Sequence, residues 1–169
     1  MPWIREFAMS AKNPYHLRVT DVLTKDVVTV SGRDTLQTAL EQMAENRLTA
    51  LPVVDGKGRC VGILSASDVV EITRAMSEEM HDVGRSDEAS YQWLRENLAD
   101  HDMARRTVRE FMSDNLATVA ADCMLAEAAA EMLRYRVHRL PVVDSKDQLV
   151  GIVSTMDVLK AFVEGSPEP

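Results

Sequence analysis

The sequence predicts an α/β (α+β) fold made of two copies of one β-α-β-β-α unit, packed as a pseudo-two-fold pair with a helical insert between them. Three observations predict it. An internal repeat runs at a constant offset of 89 residues. Inside each copy the apolar pattern switches from short β-branched runs to helical spacing and back. The 169 residues suffice for two small lobes, and a unit of this size is too small to cover both faces of its sheet alone.

The repeat is visible in its motifs. Leu51-Pro52-Val53-Val54-Asp55 recurs as Leu140-Pro141-Val142-Val143-Asp144, and Val61-Gly62-Ile63-Leu64-Ser65 through Asp68-Val69 recurs as Val150-Gly151-Ile152-Val153-Ser154 through Asp157-Val158. Of the 52 positions from Val19 to Val70, 19 are identical in Val108 to Leu159. The repeats are therefore placed at 19–76 and 108–163, with an N-terminal extension at 1–18, an insert at 77–107 and a tail at 164–169.

Each element has a local cause. Val27-Val28-Thr29-Val30 is a β-branched run ended by Ser31-Gly32, the pattern of a buried strand. Leu36, Ala39, Leu40, Met43 and Ala44 then form one apolar stripe of a helix, with Asp34 as its expected N-cap. The second copy supplies Leu125, Ala128, Ala129, Met132 and Leu133. Leu51 to Val54 is the next strand, and Asp55-Gly56-Lys57-Gly58 is a turn into a hairpin partner, Cys60 to Ser65. The last helix of each copy starts at Ser65-Ala66-Ser67-Asp68 or Ser154-Thr155-Met156-Asp157, whose side-chain oxygens suit the orphan N–H groups of a helix start. Ile72, Ala75, Met76 and Met80 extend the first of these helices, and Tyr91, Trp93, Leu94 and Leu98 predict a second short helix in the insert.

Composition narrows function. With 19 Lys and Arg against 27 Asp and Glu, the net charge is −8. Binding to a nucleic-acid polymer, which relies on many cationic contacts, is not expected. No uncharged apolar run reaches the length of a membrane span, and Arg5 and Glu6 interrupt what would be the apolar stretch of a signal peptide. A soluble cytoplasmic protein with no membrane association is expected. Cys60 and Cys123 lie far apart, and His16, His81 and His101 lack partners at metal-ligand spacing, so neither a disulfide framework nor a metal site is signalled. Cys123 falls near a helix start, a position that can lower a thiol pKa. Neither a phosphate-binding glycine loop, a nucleophile elbow nor a catalytic carboxylate pair is present, so an enzyme is not expected.

The pairing of Leu-Pro-Val-Val-Asp with Gly-Ile-Val-Ser-x-x-Asp, twice in register, resembles a tandem pair of CBS (cystathionine-β-synthase) domains, a Bateman module, of the stand-alone type. The resemblance covers about 19–70 and 108–159. It implies a non-catalytic sensor that binds AMP, ADP, ATP or S-adenosylmethionine in the cleft between repeats and relays that state to a protein partner the sequence does not name. It requires no cofactor, and it implies a homodimer. Carried over by position, one cleft takes Val28, Leu48 and Thr49 with Ile152, Ser154 and Asp157. The other takes Ala117, Val137 and His138 with Ile63, Ser65 and Asp68.

The residue chemistry agrees with that transfer. A carboxylate three residues after a hydroxyl at a helix start offers acceptors for ribose hydroxyls beside N–H groups that favour anions. Arg134, Arg136, His138 and Arg139 concentrate positive charge in the second copy, whereas the first has Arg47, with Thr49 and Ala50 where His138 and Arg139 stand. The two sites are unequal, and a phosphate-bearing ligand is expected to prefer the cleft of Asp157, close to His138 and Arg139. Two plainer readings stay open. Asp68 and Asp157 could only cap helices, and the module could be a ligand-independent dimeric scaffold presenting 77–107 to another protein.

Overall fold

The computed structural model of the chain describes residues 14–76 and 102–165. Met80 and the second helix expected in the insert lie outside the described residues. The chain divides into two compact units. The first comprises residues 28–116 and the second residues 1–27 with 117–169.

In the first unit, strand β1 (Val30–Ser31) is followed by helix α1 (Leu36–Asn46), strands β2 (Ala50–Val54) and β3 (Cys60–Ser65), and helix α2 (Ala66–Met76). β1 pairs parallel to β2, and β2 pairs antiparallel to β3. The second unit repeats this order in β4 (Val119–Ala120), α3 (Leu125–Tyr135), β5 (Arg139–Val143), β6 (Leu149–Ser154) and α4 (Thr155–Gly165), with the same pairings. The predicted β-α-β-β-α order thus holds in both copies.

The apolar stripes face inward at their first four positions, but the fifth is corrected in both copies: Ala44 is exposed and Leu133 is 82% exposed, one step past the buried face. Leu36, Ala39 and Met43 of α1 are buried against Leu51, Val53 and Leu64 of the sheet. Leu125, Ala128 and Met132 of α3 are buried against Leu140, Val142 and Val153. Full burial of one such large aliphatic chain contributes about 1.5–3 kcal/mol. The two hairpin turns are built alike. Asp55 Oδ1 accepts the N–H groups of Lys57 and Arg59 at 2.8 and 3.0 Å, and Asp144 Oδ1 accepts those of Lys146 and Gln148 at the same distances.

Two local expectations are corrected. The first strand is shorter than Val27 to Val30: ladder pairing is confined to Val30 and Ser31, opposite Val53 and Val54. Val28 packs partly buried against the core without pairing, so its β-branched character reports burial rather than a ladder. Helix α1 is capped by Thr35, whose Oγ1 accepts the Thr38 N–H at 3.2 Å, not by Asp34. Asp34 Oδ2 instead accepts the Ser31 N–H at 2.8 Å and closes the preceding turn.

The leader of each repeat completes the other copy's unit. In the second unit Leu125 N–H donates to Leu17 O at 2.9 Å, Val19 N–H to Cys123 O at 3.0 Å, and Thr24 and Ile152 exchange both backbone hydrogen bonds at 2.9 Å. In the first unit the same contacts recur 89 residues on. Leu36 N–H donates to Arg106 O at 2.8 Å, Val108 N–H to Asp34 O at 2.9 Å, and Ile63 and Ser113 exchange bonds at 3.0 and 2.8 Å. Val19 and Val108 are fully buried. Glycine is required where the leaders cross: a Cβ on Gly151 would stand 2.7 Å from Thr24 O and collide with Leu23, and one on Gly62 would stand 2.8 Å from Ser113 O.

Candidate functional site

The residues singled out in sequence converge, within each unit, where the β-hairpin delivers the chain into its last helix. In the second unit the antiparallel register sets Arg139 opposite Ser154. Thr155 N–H, at the start of α4, donates to His138 O at 3.0 Å. Ser154 N–H and its hydroxyl both donate to Asp157 Oδ2 at 2.7 Å, and Asp157 N–H donates back to Ser154 Oγ at 3.3 Å. This reciprocal box satisfies orphan donors of α4 and fixes the carboxylate at the helix start. Only Oδ2 takes part in it, so Oδ1 lies outside the box.

The first unit has the same frame with different chemistry. Ala50 stands opposite Ser65, and Ala66 N–H donates to Thr49 O at 2.9 Å. Ser65 N–H donates to Asp68 Oδ2 at 3.3 Å, and Asp68 N–H to Ser65 Oγ at 3.1 Å. Ser65 Oγ also lies 2.9 Å from Ser67 Oγ, where the second unit has Met156. Both aspartates therefore cap their helices. Basic side chains stand beside one box alone: His138 and Arg139 are exposed next to Ser154, while Thr49 and Ala50 occupy their places next to Ser65.

The apolar candidates take matched positions. Val28 and Leu48 pack partly buried against the core of the first unit, and Ala117 and Val137 against that of the second. Ile63 and Ile152 are the residues through which β3 and β6 hold the leaders. Asp21, Val22 and Lys160 were not singled out in sequence. With Leu17, Ala161, Glu164 and Asp157 they line a groove of ≈ 250 Å³ in the second unit. The available signal, an acid at both 21 and 110, has a structural explanation. Asp21 Oδ2 accepts the Arg18 N–H at 2.9 Å, and Glu110 Oε1 accepts the Thr107 N–H at 3.0 Å.

Cys123 departs from expectation. Burial raises its thiol pKa, and the charges of Glu127 and Asp122 add to the rise, so the thiol is not activated at this helix start. Burial likewise raises Cys60. Among the described residues no cluster of three or more His, Cys, Asp or Glu is arranged to hold a metal. No helix among them is long and apolar enough to cross a membrane.

Two sheets of one topology, with matched Ser-x-x-Asp boxes and exchanged leaders, define a tandem repeat module. The CBS-domain family description matches residues 19–74 and 108–164, and the chain belongs to that family. Inosine-5'-monophosphate dehydrogenase of Methanocaldococcus jannaschii is 29% identical over 143 residues, covering 85% of this chain and 23% of that protein. The crystal structure of protein MJ1225 from the same organism superposes with a TM-score of 0.70 at 29% identity, covering 90% of this chain and 52% of that one. The cytosolic domain of the Mg2+ channel MgtE, solved in complex with ATP, matches with a TM-score of 0.59 at 28% identity, covering 82% of this chain and 46% of that one. The chain thus spans a minor part of the dehydrogenase and about half of the other two.

Proposed function

We propose that the chain is a non-catalytic regulatory module that binds an adenosine-containing ligand, AMP, ADP, ATP or S-adenosylmethionine, and relays its presence to a protein partner. CBS pairs generally serve as regulatory modules rather than catalysts, and the ATP complex of the MgtE domain, a relative by structure and sequence, supports an adenine nucleotide. The observation that carries the reading is the Ser154–Asp157 box with Arg139 in register opposite Ser154. Asp157 Oδ1 is the acceptor for ribose hydroxyls, and His138 and Arg139 are the donors for phosphate oxygens. The assignment of Val28, Leu48 and Thr49 to the adenine, with Ile152 beside it, is part of this proposal. So is the second, weaker site at Ala117, Val137, Ile63, Ser65 and Asp68. Relay requires the ligand to bind one state of the module more tightly than another, since equal affinity shifts nothing. The module works as a homodimer in this reading.

Thermal unfolding with each of the four ligands at millimolar concentration tests it. A ligand at 100 times its Kd adds about 2.7 kcal/mol to stability, so at least one should raise Tm while the matched guanine nucleotide does not. No shift with any of the four overturns ligand binding and leaves the dimeric scaffold presenting 77–107.

A further inference from the structure

The groove of ≈ 250 Å³ in the second unit lies between the leader and one face of α4, where Asp157, Ala161 and Glu164 recur at i, i+4 and i+7. The first unit shows what its own side chains place at the matched positions. Phe111, buried, stands for Val22, and Ile72, packed against the core, stands for Ala161. Arg106 stands for Leu17. Its guanidinium carbon lies 5.3 Å from the centre of the Phe111 ring, and its Nε donates to Glu110 Oε2 at 2.7 Å. The first unit thus supplies a cation over an apolar ring, a favourable pairing in itself, and delivers it to a carboxylate.

In the second unit both parts of that couple are missing. Val22 and Ala161 are smaller than Phe111 and Ile72, and Leu17 brings no charge. The two acids divide their oxygens alike. Glu110 Oε1 accepts the Thr107 N–H and Asp21 Oδ2 the Arg18 N–H. Glu110 then gives Oε2 to Arg106, whereas Asp21 Oδ1 meets no cation among the described residues. The Arg18 guanidinium is directed to Asp122 O instead. We infer that the groove binds a small organic cation, an ammonium or guanidinium group on a short apolar body, in the place that Arg106 and Phe111 fill in the first unit.

The lining selects this class of ligand. Leu17, Val22 and Ala161 are apolar, and Leu17 and Ala161 are buried, so the floor suits an apolar body. The rim is acidic. Glu164 stands in the last turn of α4, which holds no basic residue, so the partial negative charge of the helix end adds to that of the carboxylate. Lys160 comes only to 3.8 Å of Glu164, beyond hydrogen-bond distance. An anion would face Asp21, Asp157 and Glu164 together. A bare metal ion fits poorly, because the described residues hold no cluster of three or more His, Cys, Asp or Glu arranged for one. Drug-sized ligands take about 300–1,000 Å³, so the occupant is smaller than these. The inference goes beyond the nucleotide reading and does not rest on it.

Amide NMR of the full chain titrated with phenethylguanidinium tests the inference. This probe joins a ring to a guanidinium and has neither adenine nor phosphate, so its result is separate from that of the nucleotides. Saturable shifts at millimolar concentration should centre on Val22 and Ala161. Phenethyl alcohol, the same body without the charge, should bind about tenfold more weakly or less. Asp21→Asn keeps an acceptor for the Arg18 N–H and should weaken the probe by a similar factor. Leu17→Arg with Val22→Phe installs the first unit's own couple and should abolish binding with an unchanged far-ultraviolet circular dichroism spectrum. If that variant is unfolded, Ala161→Ile takes its place with the same outcomes. Four results overturn the inference: no saturable shift, shifts centred away from the groove, equal binding of the alcohol, or binding that survives either the loss of the Asp21 charge or the filling of the groove.

Discussion

Arg139 stands directly opposite Ser154 in the β5–β6 ladder, and the residue in its place in the first unit, opposite Ser65, is Ala50. One register position thus sets a guanidinium beside one Ser-x-x-Asp box and a methyl group beside the other. Both boxes cap helices of the same length, so capping alone does not account for the difference, whereas the proposed binding of a phosphate-bearing ligand would make use of it.

Asp157→Ala is therefore expected to weaken nucleotide binding at the tighter site by roughly ten- to a hundredfold, since a hydrogen bond to a charged group contributes about 1.5–3 kcal/mol. Asp68→Ala should leave that site nearly unchanged. Titration calorimetry on the two variants decides between the sites. Loss of the tight site in Asp68→Ala with retention in Asp157→Ala would reverse the assignment.

At Gly151 β6 and the leader lie so close that there is no room for a Cβ between Leu23 and Thr24 O. Gly151→Ala has to push the leader off the sheet, and overpacking of this kind typically costs about 1–3 kcal/mol. Amide exchange at Thr24 and Ile152, whose N–H groups hold the leader in place, should accelerate with the drop in Tm. Gly56→Ala is the control, because nothing lies within 4 Å of a Cβ there. Equal behaviour of the two variants would show that the leader is not held at Gly151.

Much of this architecture was legible in the sequence because the motifs carry their own geometry. Leu-Pro-Val-Val-Asp followed by Gly-Ile-x-Ser specifies both strands of the hairpin and the turn between them, and the stripes from Leu36 and Leu125 specify α1 and α3. The exchange of leaders was not legible. Val19 and Val108 open their own repeats in the sequence, and a fixed offset identifies copies without saying whose sheet each one covers. The cap of α1 was misplaced by one residue because Asp34 and Thr35 are both good capping residues, and the choice depends on Asp34 being engaged by Ser31 N–H. Of the candidate site, motif and charge pointed to Ser154, Asp157, His138 and Arg139, which the structure sets together where the hairpin enters α4, but Asp21 and Val22 share a groove with Asp157 only because the leader is exchanged.

The exchange predicts where the chain can be cut. A fragment of residues 28–116 retains the Ile63–Ser113 pairing and the burial of Val108 and Phe111. A fragment of residues 19–76, the repeat as read in sequence, loses both. The former should unfold cooperatively in urea and the latter should not. A cooperative transition in 19–76 would show that the leader at 107–113 is dispensable.

Asp55 and Glu110 tie stability to acid. Asp55 is held below its ordinary value of 3.8, chiefly by the backbone N–H and then the side chain of Arg59. Glu110 is held below 4.5, chiefly by the Thr107 N–H and then by Arg106. A carboxylate whose folded pKa is depressed stabilises the fold above its unfolded pKa, and that contribution disappears as pH falls through the lower folded value. Urea midpoints should therefore decline below about pH 4, and Asp55→Asn should flatten the decline. An unchanged slope in that variant would remove Asp55 from the account.

Arg47 and Arg136 end α1 and α3 in the left-handed region, at φ 54° and 55°. In each case the following residue closes the helix: Leu48 N–H donates to Met43 O at 2.8 Å, and Val137 N–H to Met132 O at 3.0 Å. This is the Schellman arrangement, in which glycine is the usual occupant because a Cβ is strained there. Both copies nevertheless carry arginine. Its charge offsets part of the strain, since a cation at a helix C-terminus is favourable by about 0.3–1 kcal/mol, while the left-handed backbone costs a non-glycine residue roughly 1–2 kcal/mol. The strain exceeds the charge effect, so Arg136→Gly should raise stability, though by no more than about 1 kcal/mol once the added freedom of glycine in the unfolded chain is counted. Arg136→Ala keeps the strain and removes the charge, so it should lower stability. Urea unfolding of the two variants separates the contributions, and a glycine variant less stable than the wild type would show that the side chain of Arg136 contributes more than the backbone strain it imposes.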